Sequence, residues 1–390
     1  MPDIALLGLI LAAIIIGYLF GRRDQYRRSQ QQGKGLSRDY FLGLNYLLNE
    51  QTDEAIETFI KVLDVNNDTV DTYLALGSLF CRRGEVDKSI RLHQDLLARP
   101  SLTFEQSLRV QLALAKDYFS AGLYDRAESI LVDVSRQNHE YRDDALQNLL
   151  NVYERERDWS SAVEVAEQLR RSLGERYAVH LAHYYCELGE VKLRDNNRVS
   201  ARQAIRQAFS RDKDSVRASL LLGQMEFEEG NYKEAVKALQ RVSRQNSDFI
   251  SLSIPMLELA YERLDGRRAL AAYLSRCLND KPSSAVILAM TRMLLRDDGN
   301  EKAIEFLTEQ LEIHPTLKGL NVLLDLQISF QEEEAGSELD IIRRLSEKML
   351  ESKSVYRCEG CGFSGRRMHW QCPSCHSWQT IKPVQGIEGE

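Results

Sequence analysis

Small residues recur along this chain at a spacing of 34, and that spacing admits few folds. Gly43 and Gly77 stand 34 apart, as do Gly189 and Gly223, with Ala115 between the two pairs after a slightly longer step. A second small residue follows twelve positions after each, at Ala55, Ser89, Ala127, Ala201 and Ala235. One unit, Leu150 with Ala162, keeps only the second small residue. An aromatic ring stands three positions after the first small site at Tyr46, Phe80, Tyr118 and Tyr153. Polar turns such as Gly84-Glu85-Val86-Asp87, Gly122-Leu123-Tyr124-Asp125 and Gly230-Asn231-Tyr232-Lys233 separate helix-length amphipathic segments. From Leu36 to Leu350 nothing alternates as a strand does. Two helices and their turns fill one such period. The small residues let them approach, and the rings fill the groove to the next pair. A lone hairpin cannot bury its apolar face, so the units must stack into an array.

This pattern resembles the tetratricopeptide repeat, whose period is 34 residues. Six fair units cover 36–245, and two or three degenerate ones run on to 350. The unit around Leu257–Leu278 reads as a shortened hairpin, and a later one closes on His314-Pro315. The fold class expected is therefore an all-α tetratricopeptide-repeat superhelix. It is flanked by an N-terminal transmembrane helix and a small C-terminal rubredoxin-like metal-binding ribbon. The resemblance implies a concave, protein-binding groove rather than a chemistry.

Residues 1–21 read as a membrane anchor. Ile4 to Phe20 carries no charge over seventeen residues, long enough as a helix for roughly 25 Å of bilayer. Arg22, Arg23, Arg27 and Arg28 follow at once, so the positive-inside rule keeps everything after them in the cytoplasm and the N-terminus in the periplasm. A cleaved signal peptide is the rival reading, but it lacks a basic leading segment and a small-x-small cleavage site. Residues 22–35 form a basic linker and 36–350 the array.

Residues 351–390 hold the strongest chemical signal. Cys358-x2-Cys361 and Cys372-x2-Cys375 offer four thiolates in two paired turns. Gly362 frees the first turn, and Pro373 stiffens the second. So short a segment has too little core to fold alone, so a metal must supply the folding free energy. Phe363, Trp370 and Trp378 are expected as the apolar cluster beside it. A closed four-Cys site is characteristic of structural zinc; iron takes the same tetrahedral sulfur set, as in rubredoxin. His369 and His376 adjoin the pairs as second-sphere donors or partner contacts. Arg366 and Arg367 read as a solvated loop tip, with contact to the array as the alternative.

Other candidates carry little. His180 and His183 share a helical face without a third ligand. Cys81, Cys186 and Cys277 read as buried apolar residues, and Glu332–Glu334 as a turn. Gly33-Lys34-Gly35 is not a phosphate loop. No catalytic constellation emerges, so the chain reads as a non-enzyme. A net charge of −7 argues against nucleic acid as a bulk partner.

The anchor ending at Arg22-Arg23, an array opening Leu36-Ser37-Arg38-Asp39-Tyr40 and a ribbon closing on Thr380-Ile381-Lys382-Pro383 occur in one order. The Gly77–Ile90 and Tyr356–Pro383 stretches are especially close in kind. The whole chain resembles the lipopolysaccharide assembly protein B family. That resemblance implies an inner-membrane adaptor that restrains lipopolysaccharide synthesis by presenting the deacetylase LpxC to the protease FtsH. It implies antagonism by the membrane protein LapC, also called YejM. The oligomeric state is left open, a dimer being one option. A general membrane-tethered scaffold and a rubredoxin-like electron carrier are the alternative functions.

Overall fold

The computed structural model describes residues 70–387 apart from 101, 138, 331, 332 and 352, together with positions 42, 43, 45, 46, 54 and 58. The run Ile4–Phe20 and the basic segment after it lie outside the described residues. Among the described residues no helix is long and apolar enough to cross a membrane.

The described residues form sixteen α-helices, taken two by two in chain order. They are α1 (Val70–Arg82) with α2 (Val86–Leu97), α3 (Phe104–Ser120) with α4 (Tyr124–Arg136), and α5 (Arg142–Glu156) with α6 (Trp159–Leu173). Next come α7 (Ala178–Arg194) with α8 (Arg198–Arg211), and α9 (Val216–Glu228) with α10 (Tyr232–Gln245). The last three are α11 (Ile250–Arg263) with α12 (Arg267–Asp280), α13 (Ser284–Asp297) with α14 (Asn300–Ile313), and α15 (Leu317–Phe330) with α16 (Glu333–Glu351). The chain divides into two compact units, Met1–Val152 and Tyr153–Glu390.

In the first unit the small residues sit where the spacing predicts. Gly77, Ser89, Ala115 and Ala127 are all buried. A Cβ on Gly77 would strike the ring of His93. Ser89 Oγ donates to the Gly77 carbonyl at 2.8 Å, so the hydroxyl stitches the two helices where they touch. His93 Nδ1 meets Asp117 Oδ2 at 2.5 Å, both groups almost fully enclosed. Helix α3 starts with a capping box, Thr103 and Gln106 each bonding the other's backbone amide. The turns open on Gly84 and Gly122 at φ +80° and +75°, a left-handed conformation glycine adopts without steric cost.

The second unit repeats the scheme. Gly189, Ala201, Gly223 and Ala235 are buried, and a Cβ on Gly223 would strike Leu239. Lone cysteines Cys186 and Cys277 are buried and Cys81 is half-buried; burial pushes the Cys186 thiol up to about 12. Pro315 follows directly after the end of α14.

Two expectations are corrected here. The hairpin around Leu257–Leu278 is not shortened: α11 and α12 have 14 residues each, with Pro255 accommodated inside α11. Ala260 is buried in one cluster with Leu270, Tyr273, Leu274 and Cys277 of α12, while the small residue twelve positions on, Ala272, is exposed. Of the acidic run expected as a turn, Glu332 lies outside the described residues, and Glu333 and Glu334 belong to α16.

After α16 the chain forms a three-stranded antiparallel sheet in the order β2 (Ser364–Gly365), β1 (Tyr356–Cys358), β3 (Ile381–Pro383). Tyr356 pairs with Gly365 on one side and Pro383 on the other. This sheet carries the cysteine turns.

Candidate metal centre

The four cysteines converge. Their Sγ atoms all lie within 4.8 Å of one another. Cys358 and Cys375 are 3.7 Å apart, and Cys361 and Cys372 are 3.6 Å apart. A tetrahedron with metal–sulfur arms of about 2.3 Å has edges of about 3.8 Å. The cluster therefore fits one tetrahedral ion with no fifth ligand. An all-sulfur set suits zinc and iron alike.

The two turns are built on the same plan. In the first, Gly362 N donates to the Cys358 carbonyl at 3.0 Å; in the second, His376 N donates to the Cys372 carbonyl at 2.9 Å. The residue after each second cysteine is left-handed, with Gly362 at φ +79° and His376 at φ +56°. Glycine takes this conformation freely, whereas a histidine must be held in it. The holding contact is Arg155, whose Nη2 donates to His376 Nε2 at 2.7 Å.

The surroundings lower two of the four thiols. Burial pushes the Cys358 thiol up, but its hydrogen bonds with the Thr380 hydroxyl and with the Cys361 and Gly360 amides outweigh this and bring it down to about 6. Contacts with Ser377 lower Cys375. Cys372, without exposed sulfur, is pushed by burial up to about 11. A bound divalent ion would keep all four deprotonated.

The aromatic residues divide differently from the expectation. Only Phe363 packs beside the sulfurs, with Cys358, Cys372, Ile381, Tyr356 and Met368. Trp370 and Trp378 face outward onto the repeats. Trp370 packs on Val216, Val242 and Phe249. Trp378 stacks on His183, ring centres 4.9 Å apart, and meets Trp159 and Tyr184 edge-on. The guanidinium of Arg217 lies about 6 Å from both indoles and is held by Glu187 and Glu190 at 2.7 Å each.

One carboxylate ties the two domains. Glu154 accepts from Trp378 Nε1 at 2.8 Å and from Gln371 Nε2 at 2.9 Å, and Tyr184 also donates to it. Lys382 bridges the seam at its other end to Asp248 at 3.1 Å. His183 is thus a packing residue, as expected, but its role is to seat the ribbon. Arg367 is exposed and His369 lies beside Phe363, while Arg366, also exposed, lines a recess with Lys318, Glu347 and Glu351 of the last two helices. The seam residues Glu154, Arg217 and Asp248 carry no motif. Their one legible sign is polarity at helix positions where the repeat ordinarily asks for nothing specific.

The seam is built for neutral histidines. Burial lowers His183 well below 6.5, and nearby Arg217 adds to this. Burial also lowers His180 against the pull of Glu154, and burial followed by Arg155 lowers His376. Unfolded histidine takes up its proton near 6.5, while the folded rings resist it. Their contribution is complete above pH 6.5 and is lost as pH falls below it. For the enclosed His183 the loss is about 1.4 kcal/mol per pH unit until its folded pKa is reached. The urea midpoint followed by tryptophan emission should therefore drop between about pH 6.5 and 5.5. The drop should be shallower in His183→Phe, which keeps the stack without the titration.

These features define a tetratricopeptide-repeat protein carrying a rubredoxin-like four-sulfur ribbon. Residues 356–383 match the family described as rubredoxin metal binding domain, and 40–69, 72–103 and 186–248 match tetratricopeptide repeats. Lipopolysaccharide assembly protein B of Escherichia coli strain K12 is 36% identical, with 98% of each chain covered. The protein of the same name from Haemophilus influenzae is 34% identical, with 99% of each covered. The chain belongs to the lipopolysaccharide assembly protein B family.

Proposed function

We propose that the protein is a non-catalytic, membrane-anchored adaptor in the control of lipopolysaccharide synthesis, acting by delivering LpxC to FtsH. The observation that carries this reading is identity of about one third over nearly the full length of relatives named for lipopolysaccharide assembly. In this reading Ile4–Phe20 anchors the chain in the inner membrane, with the array on the cytoplasmic side. Anchoring raises the effective concentration of client and protease without new contacts. LapC counteracts the protein at the membrane.

Cys358, Cys361, Cys372 and Cys375 hold one ion, zinc or iron, which supplies folding free energy to the ribbon. The ribbon then seats Trp370 and Trp378 on α7 and α9. A recess of about 260 Å³ opens at this seam, lined on the ribbon side by Met368 and Trp370 and on the repeat side by Leu252 and Met256. It suits an apolar side chain of a client segment, and its wall depends on the folded ribbon.

The test is the half-life of LpxC after synthesis is blocked, in cells with and without the protein. LpxC should persist severalfold longer without it. An unchanged half-life would reject the proteolytic role and leave a membrane-tethered scaffold for another client.

A further inference from the structure

The second helices of three successive pairs carry an unusual charge. Helices α8, α10 and α12 have 14 residues each and together hold eleven Lys and Arg against only Glu234 and Asp280. The chain as a whole is at −7. The patch has edges: α6 balances two glutamates with two arginines, and α14 turns acidic with Glu301, Glu305, Glu309 and Glu312 against Lys302.

Much of this charge is unneutralised. Arg198, Arg206, Lys233, Arg244, Arg268 and Arg276 are exposed and have no carboxylate partner among the described residues. Arg198, Arg202 and Arg206 recur every four residues, so they share one face of α8; they line a recess of about 400 Å³ with Val199, Gln203 and Glu229, in which Arg202 is paired with Glu226 and Glu229 while Arg198 and Arg206 stay free of carboxylates. Within the patch α8 and α10 adjoin. Arg241 of α10 lies over the Phe209 ring of α8 at 4.2 Å and donates to the Lys213 carbonyl. The ribbon packs on Glu154, Trp159, His183, Tyr184 and Val216 and reaches α10 only at the buried Val242, so the cations named above stay exposed beside it.

We propose that the outer face of α8, α10 and α12 rests on an anionic phospholipid surface. The face offers guanidinium and ammonium groups, which suit phosphate oxygens. Val199 is its one exposed large apolar side chain. A specific protein interface needs buried aromatic or aliphatic anchors at its centre, and this face has none. It also lacks exposed aromatic rings on which unpaired bases would stack. A fluid layer of phosphates asks for neither. The anchored reading above contributes only proximity to a bilayer.

The test uses the full metal-loaded chain reconstituted in lipid nanodiscs. One set is phosphatidylcholine alone; the other contains about 30% phosphatidylglycerol, a charge density typical of anionic leaflets. Amine acetylation is followed by mass spectrometry at Lys213, Lys233 and Lys237, with Lys302 and Lys348 as controls outside the patch. The patch lysines should react about threefold more slowly on the anionic discs, and about 0.5 M KCl should abolish the difference by screening. Arg198→Glu, Arg206→Glu and Arg244→Glu combined should abolish it too. Equal rates on both discs would overturn the proposal, as would protection by added RNA but not by anionic lipid. Incorporation into phosphatidylcholine discs reports the anchor separately, so the two readings can fail independently.

Discussion

Cys372→Ser should empty the metal site and release the ribbon while most of the helix signal survives. The side chain is fully enclosed and sits in the second knuckle, opposite Cys361. Serine is a poor ligand for a soft ion, and three remaining thiolates cannot close the tetrahedron. Structural zinc in isolated small domains contributes about 10–16 kcal/mol of apparent binding free energy, which is folding free energy there. A ribbon of this size has no reserve to replace it. Metal content should fall from about one ion per chain to near zero. Trp370 and Trp378 should shift to red emission as they leave the repeats. The far-ultraviolet helix signal should change little, because the repeats bury their own cores. A variant that loses the metal yet keeps buried tryptophan emission would refute the structural role of the site.

Trp378→Ala should separate docking from metal binding. The indole is buried against His183, Trp159 and Tyr184, and its Nε1 donates to Glu154. Losing so large a buried ring costs about 3–5 kcal/mol. The sulfurs lie elsewhere in the ribbon, so bound metal should remain. The expected result is a folded ribbon no longer held on the repeats, cut by protease in the segment between α16 and β1. Trp378→Phe keeps a ring over His183 but gives up the Nε1 bond. Glu154 still accepts from Tyr184 and Gln371, so the loss should be about 1–2 kcal/mol. Equal protease resistance in Trp378→Ala and the parent would mean that the ribbon is held by Lys382–Asp248 and Arg155–His376 instead.

The array was readable because its rule is local. A glycine or alanine is required where two helices touch, and its partner lies twelve residues on. Gly77 with Ser89 and Gly223 with Ala235 obey that rule. The four-sulfur cluster was readable for a similar reason, since each Cys-x2-Cys pair folds on itself and a metal needs both pairs. The rule misleads at Ala260, because its counterpart twelve residues on, Ala272, is exposed and the buried side of α12 carries Leu270, Tyr273, Leu274 and Cys277.

The seam followed no such rule. Arg155 with His376, Glu154 with Trp378 and Glu154 with Gln371 join residues more than two hundred positions apart. The tryptophans read as ribbon core, because a small ribbon needs apolar cover and nothing local says that another domain provides it. The open cationic face of α8, α10 and α12 likewise appears only when helices about 34 residues apart are laid side by side and the ribbon's position is known. Periodicity and ligand spacing are encoded in neighbours along the chain, so sequence alone determined the repeats and the sulfur cluster. Which surface the ribbon covers depends on shape and charge matched across distant segments, and only the tertiary structure decided that.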